Sequence, residues 1–160
     1  MNITVALVED DSDLRDSIVR YVGGSPGFSC VGAFGCAEDA LAKLPALLPN
    51  VVLMDINLPG ISGIQGAARL KAMVPSIPIV MLTVYEDSNQ VFQALAAGAS
   101  GYLVKSASPE KLLEAIREVH AGGSPMSSHI ARKVVESFQR LGSSPQNAEN
   151  LAPWRLIGTK

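Results

Sequence analysis

The chain has two cysteines in 160 residues, Cys30 and Cys36, too few for a disulfide framework or a thiolate metal site. It has no excess of basic charge: 13 Lys and Arg stand against 15 Asp and Glu, a net charge of -2. That balance argues against a chain whose main work is gripping nucleic acid. No apolar run approaches the ~18 residues needed to cross a bilayer. The opening Met1-Asn2-Ile3-Thr4-Val5 has no basic leader ahead of its apolar stretch, so no signal peptide is expected. Core material, by contrast, is ample, with 48% hydrophobic residues against 18% charged, which excludes disorder throughout. The expected class is a globular domain in the cytoplasm.

The small net charge conceals an asymmetry. Up to residue 123 there are 8 basic residues against 13 acidic ones, and beyond it 5 against 2. Glu9, Asp10, Asp11, Asp13 and Asp16 crowd into eight positions directly after an apolar run. An acidic cluster is often only a solvated face or a helix start. Its placement here calls for a reason.

The first two-thirds of the chain alternates short β-branched runs with amphipathic segments of helix length. Ile3–Val8 is nearly continuous in apolar residues and predicts a buried strand. Leu14, Ile18 and Val22, spaced by four, predict one face of a helix from Ser12 to Val22. A Gly23–Gly27 break leads to a second strand over 28–34 and a helix over 38–47. Val51–Met54 predicts a third strand, 62–73 a helix, Ile77–Leu82 a central strand and Ser88–Ala97 a helix ending at Gly98. Gly101–Val104 predicts a fifth strand, and Ser108-Pro109-Glu110 opens a fifth helix with a cap and a first-position proline. Five strands alternating with five helices imply parallel pairing with helices on both sheet faces, because hairpins need no such crossovers. The predicted fold is a doubly wound five-stranded α/β sandwich over residues 1–123.

After Gly122-Gly123 the character changes. Ile130, Val134, Phe138 and Leu141 predict one stripe of a further helix within 124–141. Residues 142–160 are expected to be a linker and mobile tail, because Gly142–Asn150 is rich in Ser, Pro and Asn and the last ten residues are too few for a domain.

In an open parallel sheet, reactive groups gather beyond the carboxyl ends of the strands. Those positions hold Glu9 and Asp10 after the first strand, Asp55 after the third, Thr83 after the fourth and Lys105 after the fifth. Each alone has an ordinary structural explanation, as cap, turn, strand end or solvated charge. Together they form one rim. Two carboxylates 4 Å apart repel by roughly 4 kcal/mol at an effective dielectric of 20, so such crowding favours a cation among them. Hard oxygen donors without a nearby His or thiolate point to Mg2+, which keeps several waters and accepts phosphate oxygens. Asp10 and Asp55 are the expected direct ligands, with Glu9 acting through water and a backbone carbonyl near Asn57 completing the set. Asp55 is then placed as a nucleophile towards phosphorus, with Lys105 and the Thr83 hydroxyl holding the remaining oxygens.

Val8-Glu9-Asp10-Asp11, the Leu53–Gly63 run, Met81-Leu82-Thr83 and the Gly98–Lys105 run occur in the order and at the intervals of a known family. Residues 1–123 resemble the receiver domain of two-component response regulators. The resemblance implies a flavodoxin-like sheet of order 2-1-3-4-5 and a signalling switch instead of an enzyme. It implies that Asp55 takes a phosphoryl group from a sensor histidine kinase while Glu9 and Asp10 hold Mg2+. Thr83 and Tyr102 become the switch pair, the hydroxyl moving to the phosphoryl group and the ring turning inward, and Lys105 pairs with the phosphate. Output is expected through the face of helix four, strand five and helix five, or through a homodimer using helices one and five. Asp11, one place beyond the acid pair, is expected only to start a helix.

Lys105-Ser106 and the Ala97–Leu103 run resemble the NarL/FixJ subfamily, whose members join a receiver to a LuxR-type helix-turn-helix. The helix at 127–141 then resembles the connector, and Asn150–Pro153 the first residues of a DNA-binding domain otherwise missing here, so DNA contact is expected only through such a domain. Trp154–Lys160 does not continue that pattern. Ser106 stands where many receivers carry proline, so no cis peptide is expected. Val84 is bulkier than the small residue common after the switch threonine. Two other classes compete. An aspartyl-phosphate phosphatase normally carries a second Asp two places after the nucleophile, where this chain has Asn57. A phosphate-independent module of receiver shape is opposed by the complete acidic set and Lys105. A flavin site is disfavoured because no Ser/Thr/Gly-rich loop follows the first strand. Cys30, Cys36, His120 and His129 are expected to have no role.

Overall fold

Side chains of successive strand residues point to opposite faces, so the sequence of each central strand feeds two layers at once. The structure is a computed structural model and describes residues 2–84 and 87–142. Its strands are β1 (Ile3–Val8), β2 (Phe28–Phe34), β3 (Val51–Asp55), β4 (Ile79–Thr83) and β5 (Gly101–Val104). Its helices are α1 (Ser12–Gly23), α2 (Ala37–Leu47), α3 (Gly63–Met73), α4 (Ser88–Ala96), α5 (Pro109–His120) and α6 (Ser128–Gly142). All four strand pairs are parallel, in the order β2-β1-β3-β4-β5. This is the predicted doubly wound sheet.

Val5, Leu7, Val51, Leu53, Val80 and Leu82 point to one face, where Val22 of α1 and Ile116 and Val119 of α5 bury them. Ala6, Val8, Val52, Met54, Ile79 and Met81 point to the other, towards Ala40 and Leu44 of α2, Ala67 and Leu70 of α3, and Val91 and Ala94 of α4. Ile130 of α6 belongs to this second cluster and is fully buried. Both clusters come from the same strands in strict alternation.

The helix starts follow local chemistry. Asp11 caps α1 by accepting from the Asp13 and Leu14 amides, the helix-start role expected of it. Ser62 and Gln65 form a capping box on α3, and Ser108 caps α5 with Pro109 at its first turn. Asp87 caps α4 through the Asn89 amide.

Several boundaries differ from expectation. Asp55 and Thr83 are the last residues of their strands, not the first beyond them. The fourth strand starts at Ile79, not Ile77, since Pro78 has no N–H for a ladder and contributes only its carbonyl, which accepts from Val52. The stripe expected on the last helix is only half correct. Ile130 is buried and Val134 packs on the core, but Phe138 is 73% and Leu141 46% exposed, while Ser137 is buried. At about 100° per residue, position 137 returns to the bearing of 130 and position 138 swings out by about 80°. Gly142 closes this helix, and the expected linker and tail from residue 143 onward lie outside the described residues.

Candidate functional site

The carboxyl ends of β1, β3 and β5 lie side by side or nearly so, and the site is built where they stop. β1 passes directly into Glu9, whose side chain is fully buried, and β3 ends on Asp55, which is 2% exposed. β5 passes into Lys105, whose ammonium reaches back across the rim. Its Nζ lies 2.6 Å from Glu9 Oε1 and 3.0 Å from Asp55 Oδ2. Asp10 is exposed beside them, and one carboxylate oxygen from each of Glu9, Asp10 and Asp55 lies within 4.8 Å of the others. Since Asp11 serves as the α1 cap, the Asp10 carboxylate is not consumed by the helix.

Smaller contacts fix this arrangement. Glu9 Oε2 accepts the Asp11 amide at 3.1 Å, and the Glu9 carbonyl accepts from Arg15 Nη1 at 2.8 Å. Asp55 Oδ1 accepts the Asn57 amide at 3.2 Å, turning the chain sharply after β3. That turn places exposed Asn57, expected to lend its carbonyl to a cation, in the loop that holds Asp55. Gly63 opens α3 against the end of β3, and a Cβ there would overlap the Asp55 carbonyl oxygen. Only glycine permits that approach. Glu38 of α2 holds the same loop from the far side, its Oε2 accepting the Ile61 amide at 3.2 Å. Arg15 and Glu38 were not foreseen. Both act on backbone groups brought near by folding, and neither is marked by any spacing in the sequence.

The electrostatics are unbalanced. Three carboxylates face one ammonium, and two of the three are buried. Burial by itself pulls the Lys105 ammonium down, but its contacts with Glu9 and Asp55 outweigh that, and the pKa is raised. Buried Glu9 Oε1 receives no well-aligned hydrogen bond, only the close approach of that ammonium. The donor set is oxygen throughout, partly open to solvent and short of positive charge. Those are the conditions a hard divalent cation satisfies.

Thr83 lies at the end of β4, fully buried, and its carbonyl accepts the Lys105 amide at 2.7 Å. The backbone thus links the expected switch threonine to the lysine. Val84 follows and is 56% exposed. Tyr102 is fully buried in the same apolar cluster as Val91, Ala94 and Ile130. In this structure its ring is inside. All described peptide bonds are trans, including the one before Ser106. Cys30 is half-buried, and burial pushes its thiol up, against a weaker opposing hydrogen bond with the Gly32 backbone. Among the described residues, neither cysteine nor exposed His120 and His129 joins the Glu9, Asp10 and Asp55 cluster.

Comparison with known proteins agrees with this geometry. Residues 5–117 match the response regulator receiver domain family. The response regulator GacA of Pseudomonas aeruginosa is 40% identical over 135 residues, 83% of this chain and 63% of the relative. The response regulator UvrY of Escherichia coli K12 is 35% identical over 135 residues, 84% of this chain and 62% of the relative. The chain therefore spans somewhat under two-thirds of the length of these proteins. A two-component response regulator of the LuxR family from Aurantimonas superposes with a TM-score of 0.80 at 31% identity, covering 86% of this chain and 98% of that one. On sequence, sheet order and rim alike, the chain belongs to the response regulator receiver domain family.

Proposed function

We propose that this chain is a phosphorylation-controlled switch in which Asp55 accepts a phosphoryl group from the phosphohistidine of a sensor kinase. The observation that carries the reading is the convergence of Asp55, Glu9 and Asp10 with Lys105 at one rim. A carboxylate oxygen of Asp55 forms the new O–P bond as the N–P bond of the phosphohistidine breaks, and the imidazole leaves with the electron pair. Lys105, already 3.0 Å from Asp55, is in place to pair with the incoming phosphoryl oxygens. Thr83 supplies a hydroxyl from the neighbouring strand end. Asp10 and Asp55 would hold Mg2+ directly, with Glu9 through water and Asn57 through its carbonyl. When bound, that ion offsets the repulsion between carboxylate and phosphoryl group.

Phosphorylation adds about -1.5 to -2 charges at a rim already rich in acid. Thr83 and Lys105 follow that charge, and Tyr102, two places into β5, passes the change to the α4–β5 side. The phosphoryl group need only favour one of two existing states. Transcription is the output we propose, with any DNA contact made by a domain other than the one described. Cytoplasmic placement and homodimer formation on activation complete the reading. No helix among the described residues is long and apolar enough to cross a membrane.

The test is phosphorylation of the purified chain by acetyl phosphate with Mg2+, read by intact mass, and labelling by a cognate kinase. Wild type should gain one phosphoryl group and Asp55→Asn none. Label persisting on Asp55→Asn relocates the acceptor. A wild-type chain inert to both donors, and silent to beryllofluoride, identifies a phosphate-independent module instead.

A further inference from the structure

The segment after α5 is tied to the sheet at one point. Tyr102 donates its amide to the Pro125 carbonyl at 2.9 Å, and Tyr102 and Met126 form a parallel bridge on the outer edge of β5. Pro125 is buried and lies so close to Gly101 that a Cβ there would stand 2.7 Å from its ring and 2.9 Å from its carbonyl oxygen. Gly101 is therefore shaped to receive this segment. Ser127 then accepts the Ile130 amide at 3.1 Å and starts α6, which lies along α4. Its last turns (Ser137, Arg140 and Leu141) sit beside Asn89 and Phe92 at the start of α4. Ile130 enters the cluster that buries Tyr102, Val91 and Ala94, and Met126 and Val134 pack on it.

We infer that residues 124–142 form an intramolecular strap that clamps β5 and α4 and thereby sets how well the Asp55 site is organised. The coupling follows from the register of one short strand. Tyr102 stands opposite Met81, and Val104 opposite Thr83. Three residues beyond the strap's anchor, Lys105 reaches Glu9 and Asp55. β5 has four residues and, among the described residues, a strand partner along its length only on the β4 side, so the strap supplies its outer support. Releasing the strap frees β5 to shift and loosens the lysine at its end. By reciprocity, a ligand that engages Lys105 tightens the strap. The coupling half of this inference rests on the proposed role of Asp55. The clamp itself does not.

Hydrogen exchange on the whole chain tests both halves, using wild type, Ile130→Asp and Gly101→Ala. Gly101→Ala expels Pro125 from β5 without altering the strap's own sequence. Both variants should exchange faster in α6 and also in α4 and β5, while β1, β3 and α1 stay protected. Faster exchange confined to α6, or none in Gly101→Ala, overturns the clamp. If Ile130→Asp exchanges globally, Gly101→Ala decides. Beryllofluoride with Mg2+ should slow α6 exchange in wild type and bind about five-fold or more weakly to the variants. Equal affinity, with α6 released, overturns the coupling. No response in wild type overturns the role given to Asp55, and the clamp is then judged on exchange alone.

Discussion

The two faces of the sheet are buried by different means. On one, α1 and α5 close over Val5, Leu7, Leu53, Val80 and Leu82, and the last contributors, Ile116 and Val119, lie within the alternating β/α pattern. On the other, α2, α3 and α4 leave ground that Ile130 of α6 fills, from beyond Gly123. The first face is complete when the fifth helix ends. The second borrows a helix from outside the repeat and also carries Tyr102. A face closed by its own repeat resists local opening, whereas one closed by an added helix opens when that helix leaves.

Substitution at the two matched isoleucines tests this difference most strongly. Both are fully buried. Ile116→Ala should lower global stability by about 4 kcal/mol and Ile130→Ala by about 2, within the range for such truncations, because α6 leaves locally and relieves its cavity. Urea midpoints measure both, and equal losses with unchanged slope would remove the distinction. Smaller effects come from the helix starts. Ser108→Ala on α5 and Ser62→Ala on α3 should each cost about 1 kcal/mol, since each face depends on a capped helix. A loss at only one of them would show that one face tolerates a frayed helix.

The smallest effect concerns pH. The raised Lys105 pKa means its contribution to stability is complete below the ordinary ammonium value near ~10.4 and is lost only as pH rises through the higher folded value. The stability gap between wild type and Lys105→Met should therefore stay flat from about pH 6 to 9. A gap closing between pH 7 and 9 would mean that Lys105 is not held by Glu9 and Asp55.

Much of the site was legible in the chain before folding. Apolar runs ended at Glu9, Asp55, Thr83 and Lys105, and a parallel sheet brings such ends to one rim. Asp11 was legible as a cap because an acid before an amphipathic run satisfies free amides at a helix start. Glu38 and Arg15 were not, since each meets backbone groups whose nearness depends on how α2 and α1 lie over the sheet. The stripe on α6 is half correct: Ile130 and Val134 share the buried bearing, whereas Phe138 swings out of it and Ser137 takes the inward place.

Periodicity alone determined the five β/α units, their parallel pairing and the carboxylates at the strand ends, because those follow from which way each side chain must point. Only the tertiary structure decided that Lys105 bridges Glu9 and Asp55, that Gly63 lies against the Asp55 carbonyl and that Pro125 caps β5 beside Tyr102. Two of these join segments far apart in the chain and one folds a β–α connection back on its own strand, so each depends on how the chain closes in space, and no local spacing carries that information.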